Sequence, residues 1–582
     1  MKNNMYKSLI VFLFLFPLIS SITEDEMRKR MQALYGENKE ITGDYDKTLW
    51  VTCNNGVFVG KTTENVLSFK GIPYAKPPVG ELRWKDPVLA EDSDKVYEAY
   101  YFGKIPIQTE WESLMGSYYP IGEDCLHLNV WMNVKDTSKN KAVIVFVHGG
   151  SYGWGSTADP LFDGYNFVEN HPDIIFVSVE FRLGFLGFIN LSSVEGGENY
   201  KTSTNLGLLD IICALKWIQK NIEQFGGDPN KVTLLGQSSG AGSISLLPLI
   251  EGSEGLFKRI IAESGSFSLT FSLDEAEKLT QKMIEESGKS KMEDLVALSE
   301  EEIIKLNSKI DDYANYAIRD GNVLPLDLYE EYKKGKGKDI DILVGSNEDE
   351  VRYWIKTLNY YSDFISGEFA FKHGLPVLFE NNIKKMSDED KEYVDEFMSL
   401  QKGEKIWKIT EFYTEIVFRV PMSVQADYHV ESGGNAFVYQ YRFPGEEEVL
   451  GAFHSIELSH VFGNLEETIY TGNKVNEELS DTIQEMWANF AKNGDPSTSE
   501  YKWEPYDTEK RKFMVFDEKI EMEENYKSEQ RELIEPLLKY YINGNYAQMS
   551  YNVPQVYRIV AQLVAALIII TGLLYAIFSF LF

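Results

Sequence analysis

Cysteine is scarce in this chain. Only Cys53, Cys125 and Cys213 occur in 582 residues, so at most one disulfide can form and the fold must rest on its core rather than on covalent staples. No Cys–His cluster has metal-ligand spacing. Basic residues are also in deficit, with 57 Lys plus Arg against 90 Asp plus Glu and a net charge of -33. So acidic a body repels polyphosphate, which argues against nucleic acid as a partner. Repeats and low-complexity linkers are missing, and nothing cuts residues 24 to 545 into separate domains. Apolar material is plentiful: 43% hydrophobic and 13% aromatic residues supply a large core and exclude a disordered chain.

Long uncharged apolar runs are confined to the two ends. The first, Ser8 to Ile19, follows MKNNMYK and precedes Ser20, Ser21 and Thr23, the outline of a secretory signal peptide over residues 1–22. The second, 559–582, is 24 residues without a charge, about 36 Å if helical and long enough to span a bilayer. Two readings of it stand. A transmembrane helix fits its length, although no Lys or Arg follows to mark a cytoplasmic end. A lipid-anchor signal, with Asn543-Gly544-Asn545 ahead of a polar spacer, is the other. Either places the body of the protein in the secretory pathway, at the cell surface or on an endomembrane, facing the exterior or the lumen.

Between the ends, β-branched runs at 142–147, 174–181, 232–235 and 340–345 alternate with helical patterns, which predicts an α/β fold around a largely parallel sheet. Apolar residues at 208, 211, 212, 215, 218 and 222 make a helical stripe closed by Gly226-Gly227, so 174–237 reads as a βαβ crossover. The charged segments 273–310 and 383–408 read as solvated helices capping the sheet.

The stretch VTLLGQSSGAGS at 232–243 carries the first chemical pattern. G-x-S-x-G alone is weak, since roughly one chain in five of this length matches by accident. Here it matches twice, at Gly236–Gly240 and at Gly149–Gly153. A serine nucleophile needs a tight strand-to-helix turn as well as a base. Ser238 has a strand before it and AGSISLLPLI, which reads as a helix, after it. Ser151 runs instead into the Gly- and Pro-rich YGWGSTADP, a loop. His148-Gly149-Gly150-Ser151 after a strand fits a loop whose backbone N–H groups hold an oxyanion.

With these residues the chain resembles the type B carboxylesterases of the cholinesterase-like family. The likeness covers about 45 to 520 and includes SFKGIPYAKPPVGELRW, EDCLHLNVW, FVHGGSYGWGS, FRLGFLGF, NLGLLD, GQSSGAGS, AESGS, GSNEDE, HSIELSHVFGN and MWANFAKNGDPS, in the family's order. The resemblance implies an α/β-hydrolase fold and a Ser-Glu-His triad. Its acid motif falls on Gly345–Glu350 and assigns Glu350, with Asp349 the obvious rival. Its base motif falls on HSIEL and assigns His454. The oxyanion donors are then the N–H groups of Gly150, Ser151 and Ser239. Such a carboxylesterase takes a small-molecule or lipid-like ester and requires no metal or organic cofactor.

Departures from the family narrow the subtype. Ser151 stands at the third glycine of the oxyanion loop, Gln237 where many members have Glu, and Val351 and Ser455 where Gly is usual. Cys125 has no upstream partner within GKIPIQ at 103–108, and Trp111 is not at the spacing of a choline-binding tryptophan. Cys125 is therefore expected as a free thiol, and a cholinesterase ranks below a general carboxylesterase. A non-catalytic surface adhesion protein on the same fold is the alternative of another class. Tyr313 and Tyr316 are expected near the acyl side, and the sequon Asn190-Leu191-Ser192 is either glycosylated or buried.

Overall fold

The β-branched runs anticipated from the sequence lie at the centre of one sheet in the computed structural model. It describes residues 29, 35–108, 119–310, 315–357, 367–467, 471–472 and 474–543. The segments 1–22 and 559–582, Trp111 and Tyr313 lie outside the described residues. Among those described, no helix is long and apolar enough to cross a membrane, and no group of His, Cys, Asp or Glu could hold a metal ion.

The sheet has eleven strands: β1 Lys61–Thr63, β2 Val66–Pro73, β3 His127–Asn133, β4 Lys141–Val147, β5 Ile174–Val179, β6 Gly227–Gln237, β7 Arg259–Glu263, β8 Asp341–Asn347, β9 Ala436–Tyr441, β10 Lys512–Phe516 and β11 Glu521–Glu524. Their spatial order is β11-β10-β9-β8-β7-β6-β4-β5-β3-β2-β1. From β5 through β10 all neighbours are parallel. The flanking pairs are antiparallel. Every residue of β4 and β5 is buried, as expected for parallel strands covered on both faces by helices. The edges end in short charged strands, KTT and EMEE, a composition that discourages pairing with another chain.

The expected stripe at 208–222 forms helix α1, Leu206–Asn221, followed by a 3-10 turn and by Gly226 at φ 87, a left-handed helix stop. The crossover read from 174–237 is present: β5 and β6, both parallel to β4, are joined through α1, and the connection skips β4, which lies between them. The segment 273–310 is not simply a solvated cap. It breaks at Gly288, φ 64, into Leu273–Ser287, Met292–Val296 and Glu300–Ile310. Their apolar faces bury Leu279, Met283, Ile303 and Leu306 in a second core cluster. The segment 383–408 holds the end of a helix at Ile383, a helix Asp388–Leu400 capped by Ser387, and the start of another at Lys405; the middle one buries Phe397 against Phe412 at 5.6 Å.

Buried polar pairs join sequence blocks that are distant in the chain. Arg83 donates from Nε and Nη2 to Glu123 at 2.5 and 2.7 Å. Arg182 does the same to Asp210 at 2.8 and 2.7 Å. Removing one partner of such a pair costs about 3–5 kcal/mol, since the other is left charged and buried.

The strand order decides where chemistry can sit. The chain leaves β4 for β5 on one side, while β6 lies on the other side of β4. Connections diverge there and leave a crevice at the carboxyl ends of the strands, the usual ligand position in open α/β sheets. His148–Ser151 follow β4, and Ser238 follows β6.

Candidate active site

Ser238 stands between the end of β6 and helix α2, Ser239–Leu246, with φ 56 and ψ -126. A non-glycine residue in this region costs on the order of 1–3 kcal/mol and persists only where its surroundings hold it. Here its N–H donates to Glu263 O at 2.8 Å and its carbonyl accepts from Gly242 N at 2.9 Å. The turn is tight because α2 presses on the end of β4: a Cβ on Gly240 would lie 2.0 Å from Val147 O. Gln237 and Ser239 are buried, while Ser238 is half-buried. The local fold thus pushes one serine of the pair toward the crevice.

The loop after β4 is a turn rather than a helix, as its sequence implies. Gly150 has φ 114, and a Cβ there would lie 2.0 Å from Trp154 O. Ser151 and Tyr152 follow at φ 52 and 59, so Ser151 adopts the left-handed geometry that a glycine would take more easily. The loop is clamped from outside. Gln108 Nε2 donates to Gly155 O, and Gly155 N donates to Gln108 Oε1, each at 3.0 Å. Tyr152 N donates to Ser239 Oγ at 3.2 Å, tying loop to elbow through the hydroxyl of the second serine. Among the described residues, no protein acceptor is found for the N–H of Gly150, Ser151 or Ser239.

Glu350 begins a 3-10 turn three residues beyond β8 and is fully buried. Its Oε1 accepts from Asn347 N at 2.7 Å, and its Oε2 accepts from His454 Nδ1 at 2.6 Å. That bond places the imidazole proton on Nδ1 and leaves Nε2 as the acceptor. Asp349 faces elsewhere: its carboxylate takes Arg352 Nη2 at 2.7 Å and Ala452 N at 3.1 Å. Nε2 of His454 turns to the elbow, where Gln237 Nε2 is 3.4 Å away. No hydrogen bond joins His454 to Ser238 among the described contacts; such bonds often tighten only when substrate binds.

Aromatic rings surround the imidazole. Trp354 stacks on His454 with centroids 5.5 Å apart, Phe418 lies at 5.0 Å and Tyr353 at 5.7 Å. Tyr316, placed near the acyl side from sequence, packs on Tyr152 of the oxyanion loop at 5.9 Å and on Phe271 at 4.7 Å.

Sequence reasoning missed two buried carboxyls beneath this site. Glu457 Oε2 accepts from Asn347 Nδ2 at 2.5 Å. Burial first, and then the charge of Glu350, push its carboxyl up to about 8. Glu263 accepts from Trp487 Nε1 at 2.7 Å. Burial and the proximity of Glu457 raise it well above the ordinary carboxyl range. Held as neutral acids, the two add no second negative charge beside Glu350. They belong to the motifs AESGS and HSIEL, so the signal was an acid framed by small or apolar residues. The three cysteines are buried and free; burial raises Cys53 and Cys213 to about 12 and Cys125 well above its ordinary value.

A parallel sheet with a serine elbow at its switch point, an amide-lined loop beside it and a His–Glu pair opposite defines an α/β hydrolase. The chain belongs to the carboxylesterase family, whose sequence pattern matches residues 47–534. It is 32% identical over 507 residues to the para-nitrobenzyl esterase of Bacillus subtilis, covering 84% of this chain and 98% of that protein. Acetylcholinesterase 1 of Caenorhabditis elegans is 26% identical over 493 residues, covering 76% and 78%. The crystal structure of a Geobacillus stearothermophilus carboxylesterase superposes with a TM-score of 0.74 at 30% identity, over 83% of this chain and 99% of its own. The protein is an enzyme that hydrolyses carboxylic esters.

Proposed function

We propose that hydrolysis runs through Ser238 as nucleophile, His454 as base and Glu350 as its orienting acid. As Ser238 Oγ attacks the ester carbonyl, His454 Nε2 takes its proton. Glu350 stays ionised and stabilises the imidazolium that forms. Negative charge on the carbonyl oxygen is met by the N–H groups of Gly150, Ser151 and Ser239. The proton passes to the departing alcohol oxygen, leaving an acyl-serine. Water then attacks by the same route and releases the acid. The observation that carries this reading is the 2.6 Å contact from His454 Nδ1 to buried Glu350, with the free ring edge toward the elbow.

The substrate class is set by the groups that pack near the base. Trp354, Phe418 and Tyr353 offer an apolar surround, and Gln237 brings no charge to the elbow. We therefore assign uncharged carboxylic esters with apolar acyl groups, ahead of choline esters. Turnover of p-nitrophenyl esters of two to twelve acyl carbons, measured beside butyrylcholine, tests this. A choline ester turned over faster than every neutral one would overturn the assignment.

We propose further that the enzyme enters the secretory pathway through residues 1–22 and is held on a membrane by 559–582, uncharged over its whole length. Cell fractionation tests this. Activity that pellets with membranes after alkaline carbonate washing supports the proposal, and activity in the soluble fraction contradicts it. Release by a phosphatidylinositol-specific phospholipase would identify the anchor as lipid rather than helix.

A further inference from the structure

Arg531 is only 4% exposed, yet its guanidinium is half used. Nη2 donates to Asp427 and to Glu535, the latter at 3.2 Å. Its Nε and Nη1 are buried without a protein acceptor, an expensive state for a charged donor. Arg511 approaches the same Asp427 oxygen with Nη2 at 3.7 Å, and its buried Nε also has no acceptor. Both arginines, with Arg419, line a small open cleft against the sheet at Ser346 and Gln440. No Asp or Glu lines it. Of the carboxylates that balance these arginines, Asp427 and Glu415 are buried and Glu535 is partly exposed; none of the three is on the cleft wall. Ser423 and Asn525 add neutral polar groups to the wall. Ser238, His454, Glu350 and the oxyanion loop take no part in it.

We propose that this cleft is a binding site for a small oxyanion, a phosphate or a carboxylate, separate from the catalytic centre. Guanidinium N–H groups match the oxygen spacing of both anions. The site is local rather than a consequence of bulk electrostatics, because a chain of net charge -33 repels anions at long range.

The test is a thermal shift titration with sodium phosphate and, separately, sodium acetate, at ionic strength held constant with NaCl. The enzyme is treated first with a fluorophosphonate, so that the active site cannot contribute. Saturable stabilisation is expected, about 1 °C at ten times Kd. A response to phosphate alone assigns a tetrahedral ligand, and a response to acetate alone a planar one. Arg511→Ala, at a partly exposed position that leaves Asp427 held by Arg531 and by Tyr506 at 2.7 Å, should weaken Kd at least tenfold. In untreated enzyme the same variant should leave ester turnover within twofold. Absence of saturable binding by either anion, or binding unchanged in Arg511→Ala, would overturn the proposal.

Discussion

Replacing Glu457 with Gln should flatten the dependence of stability on pH. In the folded protein this carboxyl is raised from 4.5 to about 8, by burial and then by the charge of Glu350. Above pH 4.5 the unfolded chain therefore ionises the group while the folded chain keeps its proton. The native state binds more protons, so stability falls as pH rises through that window and levels off above about 8. One group contributes about 1.4 kcal/mol per pH unit, or about 3 kcal/mol between pH 5.5 and 7.5. Gln cannot ionise, and its carbonyl oxygen can still accept from Asn347 Nδ2. Urea unfolding at pH 5.5, 6.5 and 7.5, extrapolated linearly to water, gives the two curves. The wild type should lose about 3 kcal/mol more than Glu457→Gln across this range. Parallel curves would refute the reasoning, because they would mean that Glu457 carries the same charge folded and unfolded.

Other perturbations address the reacting atoms. Gly150→Ala sets a Cβ 2.0 Å from Trp154 O; the displaced loop should lower kcat about 10²- to 10³-fold, with circular dichroism unchanged. Glu350→Gln should lower kcat by about 10⁴, whereas Asp349→Asn, whose carboxylate serves Arg352, should stay within about threefold; comparable losses in both would reverse the assignment. Gln237→Glu puts a carboxylate beside His454 Nε2, which favours the imidazolium and should move the acidic limb of the pH–rate profile to higher pH. An unmoved limb would show that the side chain does not face the base.

How much of the fold and site was legible in the sequence depended on burial. The central strands are buried on both faces, so AVIVFV and IIFVSV appear as continuous β-branched runs and their existence could be read directly. Their order could not, because a crossover of the same length can reach an adjacent strand or skip one, and here β4 intervenes. Helix α1 was visible from its stripe, although Asp210 and Cys213 on its other faces are buried too. The break at Gly288 was marked by its glycine but masked by the uniform charge around it. At the site, Ser238 and Ser151 could be told apart by their downstream neighbours, a helix in one case and a Gly- and Pro-rich loop in the other. Glu350 and His454 could not have been chosen from 90 acids and seven histidines without the ordered motifs. Glu457 and Glu263 escaped notice because their role depends on a burial that arises only when β7, β8 and the turn at His454 meet.

The most direct test of the account is covalent labelling of the nucleophile. Wild-type protein treated with a fluorophosphonate, digested and analysed by mass spectrometry should carry a single adduct, on the peptide containing Ser238. Ser238→Ala should lose both the adduct and ester hydrolysis while unfolding at the same temperature, and Ser151→Ala should keep the adduct. An adduct on Ser151, or labelling and turnover that persist in Ser238→Ala, would contradict the assignment on which the mechanism rests.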